Sequence, residues 1–171
     1  LLEDVGEDAY RDKWTDLSNL CTVDSPIIVD GGGHEGESIE AIQRHFDDPR
    51  IHSFEPNPQS YQRLKSYAGG NVNVYDIAIG SEESELEFNI SQFDQASSTL
   101  SPTTELRETF GSEVSTEKTI TVSQRRLDEF IQSPPHIIKL DLQGYEKEAL
   151  KGASGFLQSV NLILLETSFC E

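Results

Sequence analysis

The stretch IIVDGGGHEGES, residues 27–38, decides the fold of this chain. A β-branched apolar run stops at Asp30, and four glycines follow within the six residues 31–36. Glycine loses more backbone entropy on folding than any other residue, so such a cluster indicates a tight turn or a close approach that only glycine allows. Apolar residues then recur at helical spacing over residues 39–46. The stretch is therefore predicted to be a strand, a glycine loop and a helix.

The same alternation of short apolar runs and helical patterns continues along the chain. An amphipathic helix that Ser25-Pro26 ends is predicted to precede the first strand, and Asn57-Pro58 is a typical helix start. Strands that alternate with helices predict an α/β fold with a mainly parallel sheet. The predicted buried strands are residues 27–29, 51–54, 72–74, 137–140 and 160–165.

Two further segments have a different pattern. Apolar and polar residues alternate over residues 85–90 and 119–122, as in strands with one exposed face. We expect these two strands to lie at an edge of the sheet or to cover the site. The polar residues 92–104 between them are predicted to be a long loop that lines the site of an acceptor molecule.

Acidic residues follow the predicted buried strands. In a parallel sheet the ligand binds beyond the carboxyl ends of the strands, so these side chains are expected to converge on one edge. They are Asp30, Glu55, Asp76, Asp141 and Glu166.

Composition limits the class of protein. The 171 residues fit one domain, and 31 acidic against 13 basic residues give a net charge of −18, which repels nucleic acid. No apolar run approaches the roughly 18 residues of a membrane helix. Cys21 and Cys170 are the only cysteines, and no Cys/His cluster has metal-ligand spacing. We expect a cytoplasmic protein that binds neither metal, nucleic acid nor membrane.

The glycine loop satisfies the pattern G-x-G-x-x-G through Gly31, Gly33 and Gly36. This is the fingerprint of dinucleotide-binding folds, in which an acidic residue follows about 20 residues later, as Glu55 does here. On this interpretation the protein is an NAD-dependent oxidoreductase.

The same letters also satisfy D-x-G-x-x-x-G through Asp30, Gly32 and Gly36, the pattern of class I methyltransferases that use S-adenosylmethionine. Asp30 favours this second interpretation, because a carboxylate repels a pyrophosphate but tolerates a ligand with an ammonium and a sulfonium group. A non-catalytic binding fragment is a third alternative.

Six segments together carry a family resemblance: VDGGGHEGES, SFEPNP, NVNVYDIAIGS, SSTL, ITVSQRRLDEF and IKLDLQGYEKEALKGA. In their order and spacing they resemble the FkbM-type methyltransferase domain over residues 26–168. The resemblance implies a Rossmann-like class I fold with helices on both faces of the sheet. It also implies methyl transfer from S-adenosylmethionine, usually to oxygen of a sugar or other natural product. The chain departs from the family at Gly33-His34, where alanine-asparagine is common.

The family sheet has the strand order 3-2-1-4-5-7-6, and this chain supplies candidates for the first five strands. We therefore expect an N-terminal helical segment over residues 1–25 and a methyltransferase domain over residues 26–171 that lacks its C-terminal strands. The last strand is then expected to lack its usual neighbour. We expect either that the polypeptide continues beyond Glu171, which is favoured, or that another chain or the N-terminal segment covers this edge.

The resemblance also implies a set of cofactor-binding residues. Glu55 would bind the ribose hydroxyls, Pro56 and Ile77 would lie against the adenine, and Asp76 would reach its amino group. The glycines and His34 would pass beneath the methionine part. The set comprises Asp30, Gly32, Gly33, His34, Gly36, Ser38, Glu55, Pro56, Asp76 and Ile77.

A catalytic role is implied for Asp141, which would face the methyl group and the acceptor. An aliphatic hydroxyl needs a base within about 3 Å, and Asp141 is the first candidate, followed by His34 and His136. Glu146 is interpreted as a residue that braces the loop or starts the helix. Tyr145 is assigned to the core.

Overall fold

The computed structural model describes residues 12–91 and 116–166, and a parallel five-stranded sheet is their central feature. The strands pair in the order β3-β2-β1-β7-β8, which confirms the predicted 3-2-1-4-5 arrangement. They are β1 (Ile27–Gly31), β2 (Arg50–Phe54), β3 (Val72–Tyr75), β7 (Ile137–Leu140) and β8 (Leu162–Leu165).

Both faces of this sheet are covered, because successive residues of each strand point to opposite sides. Ile28 packs into one apolar cluster and Val29 into another, and both are fully buried. Helices α1 (Lys13–Leu20), α2 (Glu37–His45) and α3 (Pro58–Leu64) contribute to the first cluster. Helices α4 (Leu127–Phe130) and α5 (Glu146–Gly152) contribute to the second.

The helix starts follow local capping rules. Asn57 caps α3 through its side chain, which accepts a hydrogen bond of 3.0 Å from the amide of Gln59, as predicted. Asp12 caps α1 in the same way. That helix ends at Leu20 rather than at Ser25-Pro26, because Cys21 already has an extended backbone. Residues 1–11 of the predicted N-terminal segment lie outside the described residues.

A second, smaller sheet stands apart from the first. It contains β4 (Ala78–Ile79), β5 (Ser84–Ser91) and β6 (Thr116–Arg125) in the order β4-β6-β5. Of the two alternatives predicted for β5 and β6, an edge position in the main sheet is therefore wrong. The other alternative, a cover over the site, agrees with the position of Phe88 on β5, which lines a cavity together with Phe54 and Glu55. The two strands pair with each other and with β4, and they bury their own apolar cluster. The predicted loop at residues 92–104 lies outside the described residues.

Strand β8 forms one edge of the main sheet. Among the described residues it pairs only with β7, and Ile163 and Leu165 remain 44% and 38% exposed. The expected open edge is thus confirmed for the described part of the chain. Within that part, no helix combines the length and apolar character needed to cross a bilayer.

Candidate functional site

The glycine loop joins β1 to α2 and approaches two neighbouring segments closely. Gly32 has a φ of 75°, and a Cβ placed on it would lie 2.0 Å from the carbonyl oxygen of Asp141. Gly36 has a φ of 106° and would bring a Cβ within 2.3 Å of the Tyr67 ring. Both positions therefore require glycine for backbone conformation and for space. The contact of Gly36 with Tyr67 agrees with its predicted role in close helix packing.

The amides of this loop point into the protein. Gly32 N and Gly33 N donate to the carbonyl oxygen of Phe54 at 2.9 and 3.0 Å. His34 N donates at 2.9 Å to Glu55 Oε2. A loop that cradles phosphates instead presents free amides to its ligand. This geometry disfavours the dinucleotide interpretation.

Glu55 follows β2 and is held in place by two backbone amides. Its Oε2 accepts from His34 N, and its Oε1 accepts from Asn57 N at 2.8 Å. Burial raises the pKa of this carboxyl above its ordinary value of 4.5, although the two amides oppose the rise. Each oxygen retains a second lone pair, so the carboxylate can accept two further hydrogen bonds.

His34 has a left-handed backbone, with a φ of 47°. Asn, Asp and His are the non-glycine residues most often found in this conformation. The exchange of the asparagine common in the family for histidine therefore preserves the turn. The ring Nδ1 lies 3.5 Å from Glu37 Oε1, on the first turn of α2.

A narrow cavity of ≈ 50 Å³ lies between the carboxyl ends of the main strands and the small sheet. Its wall includes Glu55, Pro56, Ile77 and Phe88, and most of that wall is apolar. Pro56 and Ile77 thus lie where the sequence analysis expects a flat apolar surface. Phe88, on β5, is a wall residue that the sequence analysis did not identify.

A wide cavity of ≈ 360 Å³ lies on the other side of Glu55, within the range of about 300–1,000 Å³ usual for ligand sites. Its wall is polar and shares Gly32, Glu55 and Asp141 with the narrow cavity. The charged residues of the wall are four carboxylates and two lysines: Glu37, Glu55, Asp141, Glu166, Lys13 and Lys139. Ser38, Gly33 and His34, which belong to the predicted cofactor-binding set, also line this cavity.

Lys139 is the main residue that the sequence analysis missed. Its Nζ lies 3.0 Å from Asp30 Oδ1 and 4.0 Å from Asp141 Oδ2, and donates to the carbonyls of Gly32 at 2.8 Å and Gly31 at 3.3 Å. Burial disfavours the charged amine, but the carboxylates outweigh it and raise the pKa of Lys139 above its ordinary value. A lysine inside the apolar run HIIKL is the signal that could have revealed this pair.

Asp30 has a supporting position rather than a place in a cavity wall. Its side chain is fully buried, and Oδ2 accepts a hydrogen bond of 2.7 Å from Ser53 Oγ. Oδ1 faces Lys139. The expectation of direct cofactor contact at Asp30 is thus corrected: in this structure the residue lies behind the glycine loop and fixes Lys139.

Asp141 lines both cavities. Its Oδ1 accepts from Gln143 Nε2 at 2.9 Å. Glu146 braces the following loop, because its Oε1 accepts from Leu142 N at 2.8 Å and Gly144 N at 3.2 Å. The bracing role predicted for Glu146 is confirmed.

Tyr145 lines the narrow cavity instead of lying in the core. Its hydroxyl donates at 2.8 Å to Gln124 Oε1 on β6. The buried Gln124 amide donates to Glu82 O, just before β5, and to Ser84 Oγ on β5. This chain of hydrogen bonds ties the small sheet to the turn before α5. The sequence analysis missed it because it depends on tertiary pairing of β6.

Two predicted residues lie away from the cavities. Asp76 is exposed and lines neither wall, although its neighbour Ile77 does. His136 Nδ1 accepts from Ile27 N at 2.9 Å, at the amino ends of β7 and β1. His136 is therefore wrong as a candidate base, because the cavities lie at the opposite edge of the sheet.

Comparisons with known proteins agree on one family. Residues 30–171 match the methyltransferase FkbM domain. A hexuronic acid methyltransferase, AglP, from Haloferax volcanii is 31% identical over 123 residues. A crystal structure of a methyltransferase FkbM from Methylobacillus flagellatus superposes with a TM-score of 0.56 at 22% identity, which supports the fold.

These relatives are longer than the chain. The alignment with the Haloferax protein covers 68% of this chain and 46% of the relative. The superposition covers 85% of this chain and 34% of the Methylobacillus chain.

Proposed function

The chain belongs to the FkbM methyltransferase family, and from this membership we propose that it binds S-adenosylmethionine and transfers its methyl group to a hydroxyl of a sugar. The observation that carries the proposal is the placement of Glu55. Two amides hold this carboxylate at the boundary between a narrow apolar cavity and a wide polar one. A nucleoside joined to a polar amino acid has the same division into an apolar and a polar part.

The chemistry of the site fits such a cofactor. The amides of Gly32, Gly33 and His34 are bonded within the protein, so these three amides do not cradle a pyrophosphate. The wide cavity has four carboxylates and two lysines, which favours a ligand with positive groups over one with two phosphates. When bound, S-adenosylmethionine supplies the methyl group on a sulfonium.

In this arrangement Glu55 binds the ribose, because an ionised carboxylate with two unused lone pairs can accept from both ribose hydroxyls. Pro56 and Ile77 contact the adenine. A purine ring exceeds the ≈ 50 Å³ of the narrow cavity, so we expect the wall of this cavity to open when the adenine binds. Side-chain movements of this kind are common when ligands and partners bind.

Asp141 lies where the two cavities meet and is the proposed proton acceptor for the acceptor hydroxyl. Gln143 fixes one of its oxygens, and Lys139 lies 4.0 Å from the other. Since the protein need only orient the two reactants and remove a proton, position contributes most of the rate enhancement. The relative that acts on hexuronic acid makes an acidic sugar the first acceptor to test.

Calorimetry with S-adenosylhomocysteine and with NAD tests the cofactor class. We expect binding of S-adenosylhomocysteine and none of NAD at millimolar concentration. Binding of NAD alone would overturn the proposal in favour of an oxidoreductase. Transfer of a radiolabelled methyl group to hexuronic acids and to neutral hexoses, compared side by side, then tests the acceptor class.

A further inference from the structure

Lys13 is the first residue of α1, and its side chain lines the wide cavity. The helix that carries it is firmly packed, since Trp14 and Leu17 are buried in the core. Asp12, which caps the helix, also lies 3.0 Å from His45 on α2 through Oδ2 and Nε2. Lys13 is therefore held beside the cavity, although its own side chain is exposed.

Four other donor groups around this cavity already have acceptors. The amides of Gly32, Gly33 and His34 are bonded to Phe54 O and to the carboxylate of Glu55. The Lys139 ammonium lies 3.0 Å from Asp30 Oδ1 and donates to the carbonyls of Gly31 and Gly32.

By contrast, the Lys13 ammonium makes no ion pair or hydrogen bond with any residue in the described ranges 12–91 and 116–166. The remaining charged groups of the wall are carboxylates, which repel an anion. Within the described wall of the wide cavity, Lys13 is thus the one lysine whose ammonium is still available to bind an anionic group.

We propose that Lys13 binds the α-carboxylate of the methionine part of the cofactor. This inference rests on the proposed function, because it assumes that the adenosine part lies beyond Glu55. The carboxylate then lies at the α1 side of the wide cavity, and the ammonium of the same ligand faces the acidic wall. A helix outside the strand-loop-helix motif thereby contributes to cofactor recognition.

The test compares Lys13→Gln with Lys65→Gln, which removes the same charge from an exposed lysine that lines neither cavity. Each variant and the wild type are titrated by calorimetry with S-adenosylhomocysteine and with its decarboxylated analogue, which differs only in the carboxylate. Lys13→Gln is expected to weaken the affinity for S-adenosylhomocysteine about 2- to 5-fold, as for an exposed ion pair. It is expected to leave the affinity for the analogue unchanged.

The loss is also expected to shrink between 50 mM and 500 mM salt, since the pair is open to solvent. Lys65→Gln is expected to change neither affinity. An equal loss for both ligands, or no loss for either, would overturn the role of Lys13 while wild-type binding still supports the proposed function. Failure of the wild type to bind S-adenosylhomocysteine would overturn both.

Discussion

Replacement of Lys139 by methionine tests the buried pair beneath the glycine loop. Asp30 is fully buried and faces the Lys139 ammonium at 3.0 Å, with Ser53 as its other polar contact. Methionine retains the length of the side chain but leaves the Asp30 charge without its counter-ion. Removal of one partner of a buried pair costs about 3–5 kcal/mol, so the free energy of unfolding is expected to fall by that amount.

The expected decrease in melting temperature is about 6–20 °C, since 1 kcal/mol shifts a chain of this size by about 2–4 °C. Urea and thermal unfolding followed by circular dichroism at pH 7 measure both quantities. Adding Asp30→Asn to Lys139→Met is expected to restore part of the stability, because the buried charge is then absent.

Lys65→Met serves as the control, and it is expected to stay within about 0.5 kcal/mol of the wild type because that lysine is exposed. A loss below about 1 kcal/mol for Lys139→Met, or strictly additive effects in the double variant, would refute the assignment of this pair.

Four further predictions concern the site and the charge. Glu55→Gln is expected to weaken S-adenosylhomocysteine about 10-fold in calorimetry, because one ribose acceptor is lost, and unchanged affinity would place the ribose elsewhere. Burial raises the pKa of Glu55, and the ionised carboxylate is the better hydrogen-bond acceptor. The affinity of the wild type for S-adenosylhomocysteine is therefore expected to fall as the pH drops through that raised pKa. The affinity of Glu55→Gln is expected to stay level. Gly32→Ala is expected to lower the free energy of unfolding by at least about 2 kcal/mol in urea, because the new Cβ would collide with the Asp141 carbonyl. Stability close to that of the wild type would contradict the loop geometry. Random-sequence RNA is expected to show no gel shift at physiological salt because the net charge is −18, and micromolar binding would contradict this.

The sheet was predictable because local patterns determine its strands. Short β-branched runs alternate with helical spacing, and right-handed crossovers leave few ways to arrange such units. The strand order then follows from the family resemblance, and the structure shows the same order. The position of Glu55 was predictable for a related reason: a residue that directly follows a parallel strand lies at the edge where ligands bind.

The small sheet was only partly predictable. The alternation in β5 and β6 indicates strands with one exposed face, but it does not specify their partner. Strand β4 has two residues, too few for a periodic signal, and it exists because β6 offers it an edge. The hydrogen bond from Tyr145 to Gln124 depends on the same tertiary pairing.

The charges beneath the glycine loop were misassigned because sequence spacing does not reveal depth. Asp30 was expected to contact the cofactor, since its position matches the acidic residue of the methyltransferase pattern. In the structure the Asp30 side chain points into the interior and pairs with Lys139, which lies one strand away. Parallel pairing places Lys139 opposite Asp30, and this register is not visible in a single sequence.

A crystal structure of the protein with S-adenosylhomocysteine tests the central claim most directly. We expect both ribose hydroxyls to lie within hydrogen-bond distance of the Glu55 carboxylate. We also expect the adenine to contact Ile77 and the methionine part to lie in the wide cavity. An adenosine bound elsewhere, or a Glu55 carboxylate that does not contact the ribose, would contradict it.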